Sequence, residues 1–162
     1  GLGHSDLGLI NGNAKLTEQH AVEQVLNKAL PTVTLTQNIK EKQWLKLAIN
    51  CVINPITAVH NIDNGQLLEE KYQPLIVSLI NEIIAVAKQQ GLALELDDIN
   101  AQVLMVATKT ASNCSSMRSD VLHQRQTEIG AINGYITNIA NRAGIAVPEN
   151  DKLIKQVKAL EA

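Results

Sequence analysis

Lys46-Leu47-Ala48-Ile49-Asn50-Cys51-Val52-Ile53-Asn54-Pro55 sets an amine and two carboxamides four residues apart in an otherwise apolar run. On a helix, positions i, i+4 and i+8 share one face, so Lys46, Asn50 and Asn54 form a single polar stripe. The apolar residues on both sides imply a helix buried nearly all round, in which an ammonium must be paired and each amide needs a partner. Such a stripe suits the wall of a cleft that takes a polar ligand. A lysine removed from water gives up its proton more readily and can serve as a general acid near neutrality. The plainer reading, a Lys46 that snorkels out of a half-exposed helix, stays open.

Outward from that stretch, everything after Asn38 reads as helical. The first helix is expected from about residue 39 to residue 60, with Pro55 kinking or dividing it. The loop Asn61-Ile62-Asp63-Asn64-Gly65 follows, then a helix over about 66–90 whose apolar stripe runs through Leu75, Ile76, Leu79, Ile80, Ile83 and Val86, with Gly91 as its stop. Asp97 is placed to cap a third helix. A polar break at residues 112–116 leads into a long helix over about 119–143 that Gly144 closes, and residues 151–160 form a short terminal helix. The region before Gln37 has another character. Leu7-Gly8-Leu9-Ile10 is a short apolar run before the Asn11-Gly12-Asn13 turn signal, residues 16–30 have helical periodicity with Thr17 as a cap, and Thr32-Val33-Thr34-Leu35-Thr36 alternates like an edge strand. A lone strand–helix–strand cannot bury its own sheet faces. The expected division is therefore residues 1–36, the tail of an α/β domain, and residues 37–162, a helical domain. The first residue is Gly1 rather than Met, as expected of a piece cut from a longer chain.

Composition removes several function classes. The 162 residues are 45% hydrophobic, which suits a packed domain and not a disordered chain. Aromatics are 2% with no Phe, so stacking of bases on aromatic rings is not expected. A net charge of −2 without a long run of either sign lacks the footprint of a nucleic-acid binder. No apolar run approaches a membrane span and no secretory signal is visible. Cys51 and Cys114 look internal and read as reduced thiols of a cytoplasmic protein; neither has metal-ligand spacing, and His4, His20, His60 and His123 are scattered.

Two further positions stand out. In the expected long helix, Glu128 lies on one stripe with Ile132, Tyr135, Ile136 and Ile139, so its carboxylate should face the core and be paired, with Lys46 or Arg125, or bind something. Asn113 and Ser115-Ser116 precede that helix, where hydroxyls and backbone N–H groups either cap it or receive an anion.

These motifs together resemble ketopantoate reductase, in its C-terminal helical domain. The matching blocks, in family order, are residues 44–58, Asn64-Gly65, Asn113-Cys114-Ser115-Ser116-Met117 with Asp120, Arg125-Gln126-Thr127-Glu128-Ile129 with Ile132-Asn133-Gly134-Tyr135, and residues 144–150. They cover nearly all of residues 38–162, and residues 1–36 look like the closing strand–helix–strand of the family's nucleotide domain. The resemblance implies a mostly α chain: a helical domain of the 6-phosphogluconate-dehydrogenase-like type, preceded by a strand–helix–strand remnant of a Rossmann domain. It also implies NADPH-dependent reduction of 2-dehydropantoate to pantoate, a step toward coenzyme A. In that comparison Lys46 matches the general acid toward the ketone oxygen and Glu128 the acid that engages the substrate hydroxyl. Asn50 and Asn64 match residues that hold the substrate, Asn54 and Ser116 others at the cleft, with Ser116 near the substrate carboxylate. After Glu128, Gly130-Ala131 replaces a more polar pair. The family's Gly-rich turn is missing, so NADP is expected to be held mainly by a domain outside this chain, and the 162 residues are not expected to turn over alone. Two alternatives remain: a reductase of another small 2-oxo acid, and a non-catalytic helical interaction module in which Lys46 and Glu128 are merely an ion pair.

Overall fold

The computed structural model describes residues 4–10 and 14–161. By compactness the chain divides at Trp44 and Leu45, into Gly1–Trp44 and Leu45–Ala162. In the first unit, β1 (Ser5–Leu7) and β2 (Val33–Leu35) pair in parallel, Ser5 opposite Val33 and Leu7 opposite Leu35, joined through α1 (Leu16–Leu26). The expected strand at residues 7–10 is thus displaced toward the N-terminus, and the turn signal at residues 11–13 lies outside the described residues. At the start of α1 the cap position is Lys15 rather than Thr17, and Lys15 N donates to the Glu18 carboxylate at 2.9 Å.

The edge of β2 that faces away from β1 is already occupied. Asn27 Nδ2 donates to the Val33 carbonyl at 2.9 Å, Val33 N donates to Asn27 Oδ1 at 2.7 Å, and Leu35 N donates to Glu23 Oε1 at 2.8 Å. The Leu35 amide, and then His20, hold the Glu23 carboxyl below its ordinary value. Side chains of α1 therefore close β2 as an edge strand, and a larger sheet has room to grow only past β1.

α2 (Ile39–His60) has the limits its periodicity suggested, and Pro55 does not divide it. Residues 66–72, expected as helix, form two 3₁₀ turns, Asn64–Leu68 and Glu70–Tyr72, because Pro74 sets the true start of α3 (Gln73–Gln89). α4 (Leu96–Lys109) is capped at Glu95, which moves Asp97 into the first turn, where a carboxylate favours the helix dipole. The long helix expected over 119–143 is two helices, α5 (Ser116–Leu122) and α6 (Asn133–Ala143), and α7 (Pro148–Leu160) begins on its proline.

Four helices end in the same way. A residue with positive φ follows the last turn, and the next N–H reaches back five residues: Ile62 to Thr57, Leu92 to Ala87, Arg125 to Asp120 and Ile145 to Ala140. Gly91 and Gly144 hold two of the positive-φ positions, Asn61 and Gln124 the others. Gln124 carries no such signal in sequence, which is why the break after α5 was hidden.

In the second unit α3 packs against α4, α6 and α7. The core is aliphatic: Ile56, Ile76, Leu79, Ile80, Ile83, Val103, Ile136 and Val157 are fully buried. Among the described residues no helix is long and apolar enough to cross a membrane.

Candidate functional site

Ala48, Cys51, Val52 and Ile56 turn the buried face of α2 into the core. The polar stripe lies on another face, and the expectation of all-round burial is wrong for it. Lys46 is exposed, while Asn50 and Asn54 are half-buried. The reason is geometric: four residues per repeat keep Lys46, Asn50 and Asn54 off the arc that packs, so the ammonium never leaves water.

Asn54 runs into a tightly tied corner. Thr57 Oγ1 lies 3.0 Å from the Asn54 carbonyl, 2.7 Å from the Ile53 carbonyl and 2.7 Å from Ser115 Oγ. Ser115 is the cap of α5 and accepts from Arg118 N at 3.2 Å, so the capping reading holds for Ser115. Ser116, next in line, is exposed. Asn64 N donates to the Asn113 carbonyl at 3.1 Å and Gly65 N to the Ala111 carbonyl at 3.0 Å. A Cβ on Gly65 would meet the Ala111 Cβ at 2.7 Å, so only glycine lets the two loops approach this closely. Asn64 is buried, donates from Nδ2 to Thr110 Oγ1 at 2.9 Å, and leaves Oδ1 without a partner among the described residues. Arg118 completes the clasp, donating from Nε to Asn61 Oδ1 at 2.8 Å and pairing with Asp63. Asn54 and Asn64 are thus held by one corner with Ser116, which lies 52 residues beyond Asn64.

Glu128 does not sit on a helix stripe. It is exposed, in the turn between α5 and α6, where its carbonyl accepts from Ala131 N and Ile132 N at 2.9 and 3.0 Å. Among the described residues neither Lys46 nor Glu128 forms an ion pair, and Arg125 is engaged by Asp120 at 2.9 Å. Thr127, beside Glu128, donates its backbone N to Glu161 Oε1 at 2.8 Å and its hydroxyl to the same oxygen. The Thr127 hydroxyl, then its amide, hold the Glu161 carboxyl below its ordinary value.

Cys51 is fully buried and burial pushes its thiol well up, which makes it inert, whereas Cys114 is exposed rather than internal. Sequence reasoning missed Thr57, Thr110, Arg118 and Glu161, whose roles rest on long-range pairing and leave no local pattern. A cavity of about 750 Å³, lined by His60, Tyr72, Leu75, Ser78 and Lys152 among others, contains none of the six candidate residues.

Residues 38–161 match the family described as ketopantoate reductase PanE/ApbA, C terminal. The 2-dehydropantoate 2-reductase of Vibrio cholerae is 37% identical over 161 residues, 99% of this chain and 54% of that protein. The 2-dehydropantoate 2-reductase of Shigella flexneri is 41% identical over 138 residues, 85% of this chain and 45% of that protein. In fold the chain is similar to the solved structure of D-mandelate dehydrogenase with NADH, at a TM-score of 0.92 and 22% identity over 99% of this chain and 55% of that one. The chain spans about half the length of the curated relatives it matches.

Proposed function

The chain belongs to the ketopantoate reductase family, and from that premise we propose that it is the substrate half of an NADPH-dependent enzyme reducing 2-dehydropantoate to pantoate. Residues 1–36 then belong to the nucleotide-binding domain and residues 37–162 to the substrate domain. The enzyme would work in the cytoplasm, on the route to pantothenate and coenzyme A.

The observation that carries this reading is the state of Lys46 and Glu128. Both are exposed, and neither is engaged in an ion pair among the described residues, while Arg118 pairs with Asp63 and Arg125 with Asp120. An ammonium and a carboxylate left free are available to a ligand, and the interaction-module alternative, which needs them as a mutual ion pair, loses its support. The nicotinamide cofactor, when bound, would supply the hydride that the ketone carbon takes up. The chain spans about half the length of its relatives, and the dinucleotide is assigned mainly to the part of the enzyme outside this chain.

This chain's own groups supply the rest. Lys46 gives a proton from Nζ to the ketone oxygen as it gains charge, and its exposure lets water reprotonate the amine. Asn50 and Asn64 hold the substrate, Asn54 and Ser116 line the cleft at the tied corner, and Ser116 meets the carboxylate. Glu128 accepts a hydrogen bond from the 4-hydroxyl. Assaying the full-length enzyme with NADPH and a panel of 2-oxo acids tests this. Preference for 2-dehydropantoate that shrinks in Glu128→Ala is expected. Equal turnover of acids lacking the 4-hydroxyl points instead to a reductase of another 2-oxo acid.

A further inference from the structure

Pro55 lies inside α2 and has no N–H, so the carbonyl of Cys51, four residues earlier, has no ladder donor. That carbonyl accepts a hydrogen bond from Asn133 Nδ2 at 3.0 Å, from the first residue of α6 and 82 positions along the chain. Asn133 is completely buried. Its second N–H donates to Asn150 Oδ1 at 3.0 Å, and Asn150 Nδ2 donates to Glu82 Oε2 at 2.7 Å. Glu82 also receives the backbone N–H of Glu149 at 2.8 Å and of Asn150 at 3.0 Å, in the first turn of α7.

The direction of this chain of bonds is fixed by its end. A carboxylate accepts, which turns Asn150 Nδ2 toward Glu82 and its oxygen toward Asn133. Asn133 must then donate to both neighbours, and its own Oδ1 is left buried without a partner among the described residues. An amide that tolerates an unpaired oxygen is placed for its donors, since that oxygen carries a desolvation cost.

The Cys51 carbonyl lies between the two parts of the polar stripe, Lys46 and Asn50 before it and Asn54 after it. Resting on the reading of Lys46 as proton donor, we propose that Asn133 is a positioning residue. By replacing the N–H that Pro55 lacks, it fixes the Lys46–Asn50 half of α2 relative to Asn54 and the substrate corner beyond it. Unpartnered carbonyls at a proline let a helix bend, and a small misplacement of a reacting group costs rate steeply.

The test is a four-protein cycle in the full-length enzyme: unmutated, Asn133→Ala, Pro55→Ala and the double variant. Asn133→Ala should lower kcat by about ten- to a hundredfold with little change in KM. Pro55→Ala supplies an N–H at residue 55, so in that background Asn133→Ala should cost less than about threefold in kcat. Melting temperatures of the four should show the same coupling. Should Asn133→Ala alone fail to fold, a double variant that folds and turns over upholds the role. Failure of both to fold overturns it, because the Cys51 bond would not be what Asn133 contributes. An equal loss in both backgrounds, or coupled melting with unchanged kcat, also overturns it. Absence of turnover in the unmutated enzyme sinks the functional reading and the positioning role with it, leaving the melting cycle to judge the hydrogen bond alone.

Discussion

The hydroxyls of Thr57 and Ser115 stand 2.7 Å apart, both buried, across 58 residues of sequence. They join the last turns of α2 to the cap of α5, and so connect Asn54 to the first turn of α5, which begins at Ser116. Thr57→Val keeps the shape and removes the hydroxyl, leaving Ser115 Oγ short of a partner. A loss of about 1–2 kcal/mol in urea denaturation is expected, with the slope unchanged. An unmoved midpoint would show that the contact carries nothing.

Gly65→Ala should be costlier than a usual loop change. The new methyl falls 2.7 Å from Ala111 Cβ and 3.0 Å from Ala111 Cα and its carbonyl oxygen, and backbone cannot swing aside as a long side chain can. About 1–3 kcal/mol of stability is expected to go. Asn64 N and Gly65 N, which donate across the same gap, should then exchange with deuterium faster than in the unmutated protein. Protection equal in both proteins would count against a clasp between these loops.

Acid should release the segment beside Glu128 before the core melts. The Glu161 carboxyl is held low by the Thr127 hydroxyl and amide. A group whose folded pKa is depressed contributes its full stability above its unfolded value, about 4.3, and loses it as pH falls through the lower folded value. The Thr127 amide resonance should therefore titrate below the ordinary glutamate range, and Glu161→Gln should abolish that titration. A Thr127 shift that persists in the variant would assign it to another carboxylate.

Much of this architecture is legible in local sequence. The limits of α2 follow from its periodicity, and Gly91 and Gly144 mark helix ends because only a residue free of a Cβ adopts positive φ without strain. Gln124 does the same work without the signal, so the α5–α6 break is invisible in sequence and Glu128 reads there as part of a stripe it does not occupy. The six candidate residues are named from motif blocks alone, and their surroundings are not legible there. The apolar neighbours of Lys46 suggest burial, yet of Leu45, Leu47, Ala48 and Ile49 only Ala48 is fully packed, and the Thr57–Ser115, Arg118–Asp63 and Asn133–Cys51 contacts depend on tertiary placement.

Lys46 is the group on which the proposed chemistry depends most. It is exposed and, among the described residues, bears no ion pair, so replacing it should not disturb folding. The decisive measurement is kcat for NADPH-dependent reduction of 2-dehydropantoate by full-length Lys46→Ala, taken beside its urea midpoint. A fall of about 10²–10⁴ in kcat with the midpoint unchanged is predicted. Turnover within a few fold of the unmutated enzyme would contradict the assignment of Lys46 as proton donor.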